Sequence, residues 1–381
     1  MSRTVSAVVT SGAVCVGVVG PFAVDVPWWA EVEPVTAHLD AVLGVPAYVL
    51  RLLRVDGGDG ARDGHVTYHV EAPGTTVTLP PAQAPADHDP LRLPWATADG
   101  LRELFDWARA EVGRPVTGPV QQRKTWNLAG LFRLPTSAGP VWLKTTPPFA
   151  ADEPRVIAAF AAVDPTLVPP VLAAGDRRML LDDLPGEDCW HADEATIVSG
   201  IHRFVAAQSA LDTRPPWLRD RSGTADDVRA LLDRDLGLTR DERAGALALL
   251  PTWADLAGCG LPDTIVHGDF HSGNWRADGG PRVILDFADA HFGHPVLDGL
   301  RVVDFLAAPK KPVARQAWVD AWSAARPGSD PARALAVAEP LAHLSYAVRY
   351  QEFLDGIEES ERIYHLGDPA ASVRAALAQS H

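Results

Sequence analysis

Residues 265–289 read IVHGDFHSGNWRADGGPRVILDFAD, and the reading of this stretch decides the reading of the chain. It carries His267-Gly268-Asp269, then Asn274 five positions after the aspartate, then Asp286 at the end of the apolar run Val283-Ile284-Leu285. Three short polar side chains offered by a turn, a loop and a strand end suit the holding of a divalent metal and a triphosphate beside a hydroxyl. Asp269 is the expected catalytic group, accepting the hydroxyl proton or orienting the hydroxyl. The amide oxygen of Asn274 and the carboxylate of Asp286 are the expected ligands of Mg²⁺, which prefers oxygen donors. His267 is expected to hydrogen-bond the loop rather than act as the base. The plain alternative is that Asp269, Asn274 and Asp286 are turn and strand-end residues, since Asp and Asn bond their own backbone in turns.

The D-x-x-x-x-N spacing is that of the protein-kinase catalytic loop, and a strand-end Asp follows it at the place of a metal-binding aspartate. Here the sequence reads His-Gly-Asp rather than His-Arg-Asp, and Asp-Phe-Ala rather than Asp-Phe-Gly. In both respects it resembles the aminoglycoside phosphotransferase family of small-molecule kinases. Phe292-Gly293-His294-Pro295 and Leu297-Asp298-Gly299 are similar to that family's Gly-x-Pro-x-x-Asp continuation. The resemblance implies an α+β, protein-kinase-like bilobal fold, ATP and Mg²⁺ as cofactors, and transfer of the γ-phosphoryl group to a small-molecule hydroxyl. It also implies that Asp298 buttresses the His-Gly-Asp turn and that His271 and Asp289 lie near the acceptor.

Composition sets limits. The 381 residues are long enough for two or three cores. The 47% hydrophobic and 22% charged residues are those of an ordinary globular protein. A formal charge of −15 argues against nucleic acid as a partner, because phosphate backbones are bound by clustered Lys and Arg. It is compatible with a cationic or neutral small molecule. Cys15, Cys189 and Cys259 are few and far apart, which suggests neither a disulfide framework nor a zinc site and fits a reducing cytoplasm. The apolar N-terminal stretch is interrupted by Gly, Ser and Thr and reads as strand, turn and strand; no run approaches the length of a membrane span.

Three regions are expected. Residues 1–95 hold Val-rich strand candidates at 5–9, 14–19, 65–70 and 75–79 and one amphipathic helix near 33–43, giving a separate α+β domain ahead of the catalytic lobes. Residues 96–185 open with a helix capped by Thr97 and continue as a β-rich lobe, with a strand over 126–134, a hairpin turn at 137–139 and a returning strand ending at Lys144. Residues 186–381 read as a helical lobe around one catalytic hairpin. In the kinase pattern Lys144 pairs the nucleotide phosphates and Glu153 holds that lysine. Residues 118–127 lack a G-x-G-x-x-G sequence, so phosphate contacts there fall to backbone N–H groups, Arg123, Lys124 or Thr125. By resemblance to the family's hinge, the backbone at Asp183 and Leu184 meets adenine, with Met179 packed nearby.

The resemblance places the acceptor on the helical lobe, against residues 346–365, YAVRYQEFLDGIEESERIYH. Gln351, Asp355 and Glu359 fall at i, i+4, i+8, one helical face, with Glu358 close by and Tyr350 among interleaved aromatics. Such a face suits an ammonium-bearing sugar; it is equally the pattern of a solvated acidic face. The tail and the extra N-terminal domain resemble the actinobacterial glucosamine kinase and maltokinase-like group. Glucosamine 6-phosphorylation is therefore the expected reaction, with antibiotic modification and a maltokinase-like activity as alternatives. The sequence fixes no oligomeric state.

Overall fold

The computed structural model describes residues 3–86, 88–280 and 282–379, and the chain divides into two compact units. The first gathers Met1–Pro148, Val171–Asp183 and Phe353–Leu366; the second gathers Phe149–Pro170, Leu184–Glu352 and Gly367–His381.

In the first unit the alternating Val-rich sequence forms the strands β1 (Arg3–Ser11), β2 (Val14–Val24), β3 (Tyr48–Asp56) and β4 (His65–Glu71), in the order β2-β1-β4-β3. β1 runs parallel to β4 and the other pairs are antiparallel. Every second residue of β1, from Val5 through Ala7 to Val9, is fully buried, and these side chains pack on Leu39 of helix α1 (Glu33–Leu43). Period-two burial of this kind is what fixes strand register. The expected strand at 75–79 is absent; the proline-rich segment is held by scattered bonds, such as Val18 N–H to Pro80 O at 2.9 Å and the Thr75 hydroxyl to Leu43 O at 3.1 Å, rather than by a ladder. Helix α2 (Ala98–Glu111) begins as its sequence suggests, with the Thr97 hydroxyl accepting from Gly100 N–H at 3.1 Å.

A second sheet of the same unit comprises β5 (Gln121–Trp126), β6 (Ala129–Thr136), β7 (Gly139–Thr145), β8 (Val171–Gly175) and β9 (Arg178–Asp182), ordered β5-β6-β7-β9-β8. The single strand expected over 126–134 is broken by a turn at residues 127–128. Phe132, Leu143 and Leu180 from three neighbouring strands are fully buried against Phe105 of α2 and Trp95.

Unexpectedly, residues 353–366 join this first unit. Tyr364 meets Trp29 and Trp126 edge-on, at 5.6 and 5.7 Å between ring centroids. The buried Glu361 accepts from Leu52 N–H at 2.6 Å.

The second unit is mostly helical: α3 (Glu153–Val163), α4 (Glu194–Gln208), α5 (Thr224–Leu232), α6 (Arg240–Ala248), α7 (Thr252–Ala257), α8 (Val296–Asp304), α9 (Lys311–Ala325), α10 (Pro331–Gly356, whose last turn belongs to the first unit) and α11 (Asp368–Ala378). The short strands β10 (Glu187–Asp188), β11 (Thr264–Val266), β12 (Trp275–Ala277), β13 (Val283–Ile284) and β14 (His291–Gly293) pair antiparallel as β10-β12-β13 and β11-β14. They form the platform on which the catalytic stretch is mounted. No helix among the described residues is long and apolar enough to cross a membrane.

Candidate active site

The buried strand β11 delivers the chain into the turn His267-Gly268-Asp269. Gly268 has φ +85°, and a Cβ there would stand 2.3 Å from the carbonyl oxygen of Asp289, so only glycine fits. The turn hangs on Asp298, whose buried carboxylate accepts from His267 N–H (2.8 Å), Gly268 N–H (3.0 Å) and Gln208 Nε2 (2.8 Å). Burial pushes the Asp298 carboxyl up to about 7, against the opposing pull of those three donors. His267 is equally committed: Nδ1 accepts from Asp269 N–H at 3.2 Å, so Nε2 carries the proton and donates to Leu285 O at 2.9 Å. Burial lowers this ring to about 4, leaving a neutral structural imidazole.

Asp269 is held by three side chains. Arg301 of α8 brings Nε and Nη2 to Oδ1, each at 2.8 Å. On the other oxygen, Asn274 Nδ2 lies at 3.2 Å and His271 Nε2 at 3.4 Å. Burial opposes ionisation, but His271 and Arg301 outweigh it and hold the Asp269 carboxyl well below the usual carboxylate range. An anion fixed in direction is suited to orienting a hydroxyl.

Asn274 also donates through Nδ2 to the Asp269 carbonyl at 2.9 Å, which assigns the amide's orientation. With the nitrogen so occupied, Oδ1 is the atom turned away from Asp269. Asp286 follows through the bond from Leu285 N–H to Asn274 O at 2.8 Å. It is an exposed residue with φ +66°, a conformation that non-glycine residues adopt at a cost and that tends to mark functional positions. The next residue is anchored from α3, where buried Glu153 accepts from Phe287 N–H at 3.0 Å. One amide oxygen and one carboxylate on adjoining segments are a donor set that fits Mg²⁺, whose remaining positions are commonly filled by phosphate and water.

Next to the turn, Arg221, Gly268, Asp289, His291, Tyr346 and Arg349 line a small cleft. Asp289 accepts from Arg349 Nε at 3.0 Å and from Nη2, and Arg349 Nη1 reaches Glu352 at 3.1 Å. The cleft is therefore charged in both signs, with Arg221 and Arg349 beside Asp289, whereas the sequence reading named no arginine near the acceptor. Tyr350 and Gln351 are half-buried on α10.

The remaining acid expectations are corrected. Helix α10 stops at Gly356, so Glu359 does not continue the face of Gln351 and Asp355; it lies exposed in the 3₁₀ turn Glu359–Tyr364. Asp355 is also exposed and falls within the first unit. Glu358, only 5% exposed, is enclosed by Arg51 (3.6 Å) and Arg92 (3.0 Å), which makes it a structural carboxylate of the first unit rather than an acceptor ligand.

On the nucleotide side, Lys144 occupies the penultimate position of β7, paired in register with Met179 of β9; both are buried. Asp183 is exposed and its carboxylate accepts from Trp142 Nε1 at 2.6 Å. In the second unit the Leu184 carbonyl accepts from Arg276 Nε at 2.9 Å. Arg123 departs from expectation, because residues 121–126 form a strand and not a loop, and its guanidinium pairs with Glu33 of α1. Sequence reasoning missed Arg301 and Gln208. The one available signal was the position of Arg301 three residues after Asp298, on the same helical face.

Residues 131–335 match the family model described as the phosphotransferase enzyme family. Solved structures with similar folds include a putative fructosamine-3-kinase from Thermobifida fusca (20% identity, 72% of this chain and 98% of that one, TM-score 0.52). Others are a choline/ethanolamine kinase family protein from Mesorhizobium loti (17%, 72% and 98%, 0.53) and a choline kinase from Streptococcus pneumoniae (11%, 73% and 99%, 0.55). At these identities the likeness shows a protein-kinase-like fold. No curated protein matches the chain in sequence.

Proposed function

Because this chain belongs to the phosphotransferase enzyme family, a family of small-molecule kinases, we propose that it moves the γ-phosphoryl group of ATP, with Mg²⁺, onto a hydroxyl of a small amino sugar, and that glucosamine is the acceptor. The observation that carries the reading is the Asp269 carboxylate, kept anionic by Arg301 with Asn274 turned so that its oxygen faces away. The fold neighbours whose names mention fructosamine and choline or ethanolamine lend support, since those acceptors join a hydroxyl to a nitrogen centre.

In this reading Asp269 accepts the acceptor's O–H and aims its oxygen at the phosphorus. Asn274 Oδ1 and Asp286 hold the cation, which when bound neutralises charge on the phosphates. Lys144 adds positive charge on the nucleotide, while Met179 and the backbone around Asp183 and Leu184 receive the adenine. Asp289, His271, Tyr350 and Gln351 surround the acceptor. Orientation and electrostatics supply most of the acceleration in such a reaction.

The test is Mg²⁺-dependent ATP consumption across glucosamine, glucose, maltose, kanamycin, choline and homoserine, with the Asp269→Asn variant as control. Glucosamine should give the highest kcat/KM, and Asp269→Asn should lower kcat by several orders of magnitude while still binding nucleotide. Preference for kanamycin or maltose would replace the acceptor. Undiminished turnover by Asp269→Asn would remove the mechanism.

A further inference from the structure

Of the aromatic residues interleaved with the acids of residues 346–365, Tyr350 is half-buried and the other three are engaged elsewhere. Tyr364 and Phe353 are buried in the first unit, and Tyr346 lies 5.0 Å beneath the Arg301 guanidinium. A different pair is open to solvent, namely Trp190, 44% exposed, and Phe305, 41% exposed. Single exposed aromatics are common on protein surfaces, but these two touch each other at 5.9 Å between centroids and so form a contiguous apolar patch of the kind that marks ligand sites.

Their position is tied to the catalytic carboxylate. The His271 ring stacks on Trp190 (4.9 Å, 28°) and tilts against Phe305 (4.5 Å), and its Nε2 is the atom 3.4 Å from Asp269 Oδ2. His271 Nδ1 accepts from Gly273 N–H at 3.1 Å, which fixes the ring in place. The indole packs so closely on Gly273 that a Cβ there would meet it at 2.3 Å. Trp190 is further pinned by its own N–H to Asp188 at 3.2 Å, and the following segment by Lys310 Nζ on Ala192 O at 2.5 Å. The wall is rigid, partly open and one imidazole away from Asp269.

We infer that Trp190 and Phe305 form the acceptor platform, taking the C–H face of a saturated sugar ring while one ring hydroxyl reaches Asp269. The class of acceptor follows from the charges. Phe305 already has the Arg301 guanidinium 4.4 Å from its centroid, so a second cation on this wall is repelled, and the surface selects the neutral face of a ring. An ammonium on the same acceptor must point away from the wall. The acceptor's hydroxyl displaces the long His271 contact, the weakest of those on the carboxylate.

This inference rests on the assignment of Asp269 to the acceptor hydroxyl, and the experiment separates the two. Trp190→Ala, Trp190→Phe and Phe305→Ala are compared with the parent enzyme for KM and kcat, using the best pyranose acceptor and the best open-chain acceptor of the panel. Trp190→Ala should raise KM for the pyranose roughly tenfold with no matching rise in KM for ATP, Phe305→Ala should act in the same direction, and Trp190→Phe should recover most of the loss. Thermal melts establish that each variant is folded; should Trp190→Ala not fold, the comparison passes to Trp190→Phe and Phe305→Ala. An unchanged pyranose KM in the folded variants overturns the platform, as does an equal rise in KM for ATP or a parent enzyme that prefers an open-chain acceptor. If Asp269→Asn keeps full turnover, the underlying assignment has failed; if it is inactive and the pyranose KM is unmoved, only the platform has.

Discussion

Arg301 places two guanidinium nitrogens on one oxygen of Asp269, and is itself sandwiched by Phe305 at 4.4 Å and Tyr346 at 5.0 Å. Planar guanidinium geometry lets one side chain hold the carboxylate in both charge and direction. Arg301→Met should lower kcat by about 100-fold, with KM for ATP changed little, because the lost interaction acts on the reacting group and not on nucleotide binding. Arg301→Lys should recover part of kcat, restoring charge without the fork. Steady-state kinetics checks both, and equal losses for Met and Lys would leave the charge without a role.

Asp298 offers a stability test. Its two oxygens serve three donors, so Asp298→Ala leaves the His267 and Gly268 N–H groups and the Gln208 amide without that acceptor. Each buried orphan costs about 1–3 kcal/mol, so a loss of several kcal/mol is expected in urea unfolding, together with reduced kcat. Asp298→Asn keeps one oxygen and should fall between.

Gly268→Ala should be more selective. The left-handed backbone and the 2.3 Å approach to Asp289 O cannot both survive a methyl group, so the turn must shift. A displacement of about 1 Å at Asp269 would cost roughly 100-fold in kcat. Circular dichroism should remain native-like.

The pH dependence of stability should expose Glu361. Burial pushes its carboxyl up to about 8, with the neighbouring Glu358 adding to the effect and the Leu52 N–H opposing it. The folded state therefore holds a proton that the unfolded chain has released above about pH 4.5. Its contribution is complete below that pH and is lost progressively as pH rises to about 8, a total loss on the order of 5 kcal/mol. Glu361→Gln keeps an acceptor for Leu52 N–H while removing the titration, so it should gain on the parent protein in melting temperature as pH goes from 6 to 9. Parallel melting curves for the two proteins would assign the burial no energetic weight.

What was legible in the sequence was local. The strand alternation in β1, the Thr97 cap and the structural role of His267 each follow from residues within a few positions of one another, and so does the connection of Asp269 to Asn274. What was hidden depended on which core a segment joins. Residues 346–365 carry acids at helical spacing, but spacing cannot tell that α10 ends at Gly356 or that Glu358 meets Arg51 and Arg92. Arg123 read as part of a glycine-poor loop because its partner, Glu33, lies 90 positions away. Trp190 and Phe305 were invisible for the same reason, standing far apart in sequence and meeting each other and His271 only in the fold.

The bond between Leu52 and Glu361 spans 309 residues. A nascent chain can thus pair its earliest strands long before it can seat Tyr364 between Trp29 and Trp126 or give Arg51 its carboxylate. Contacts this distant in sequence are slow to form, and until they do the β1–β4 sheet waits, incompletely packed, on residues 353–366. Translation that stops short of Phe353 should therefore yield a protease-sensitive fragment rather than a stable one, tying the survival of the β1–β4 sheet to the synthesis of residues 353–366.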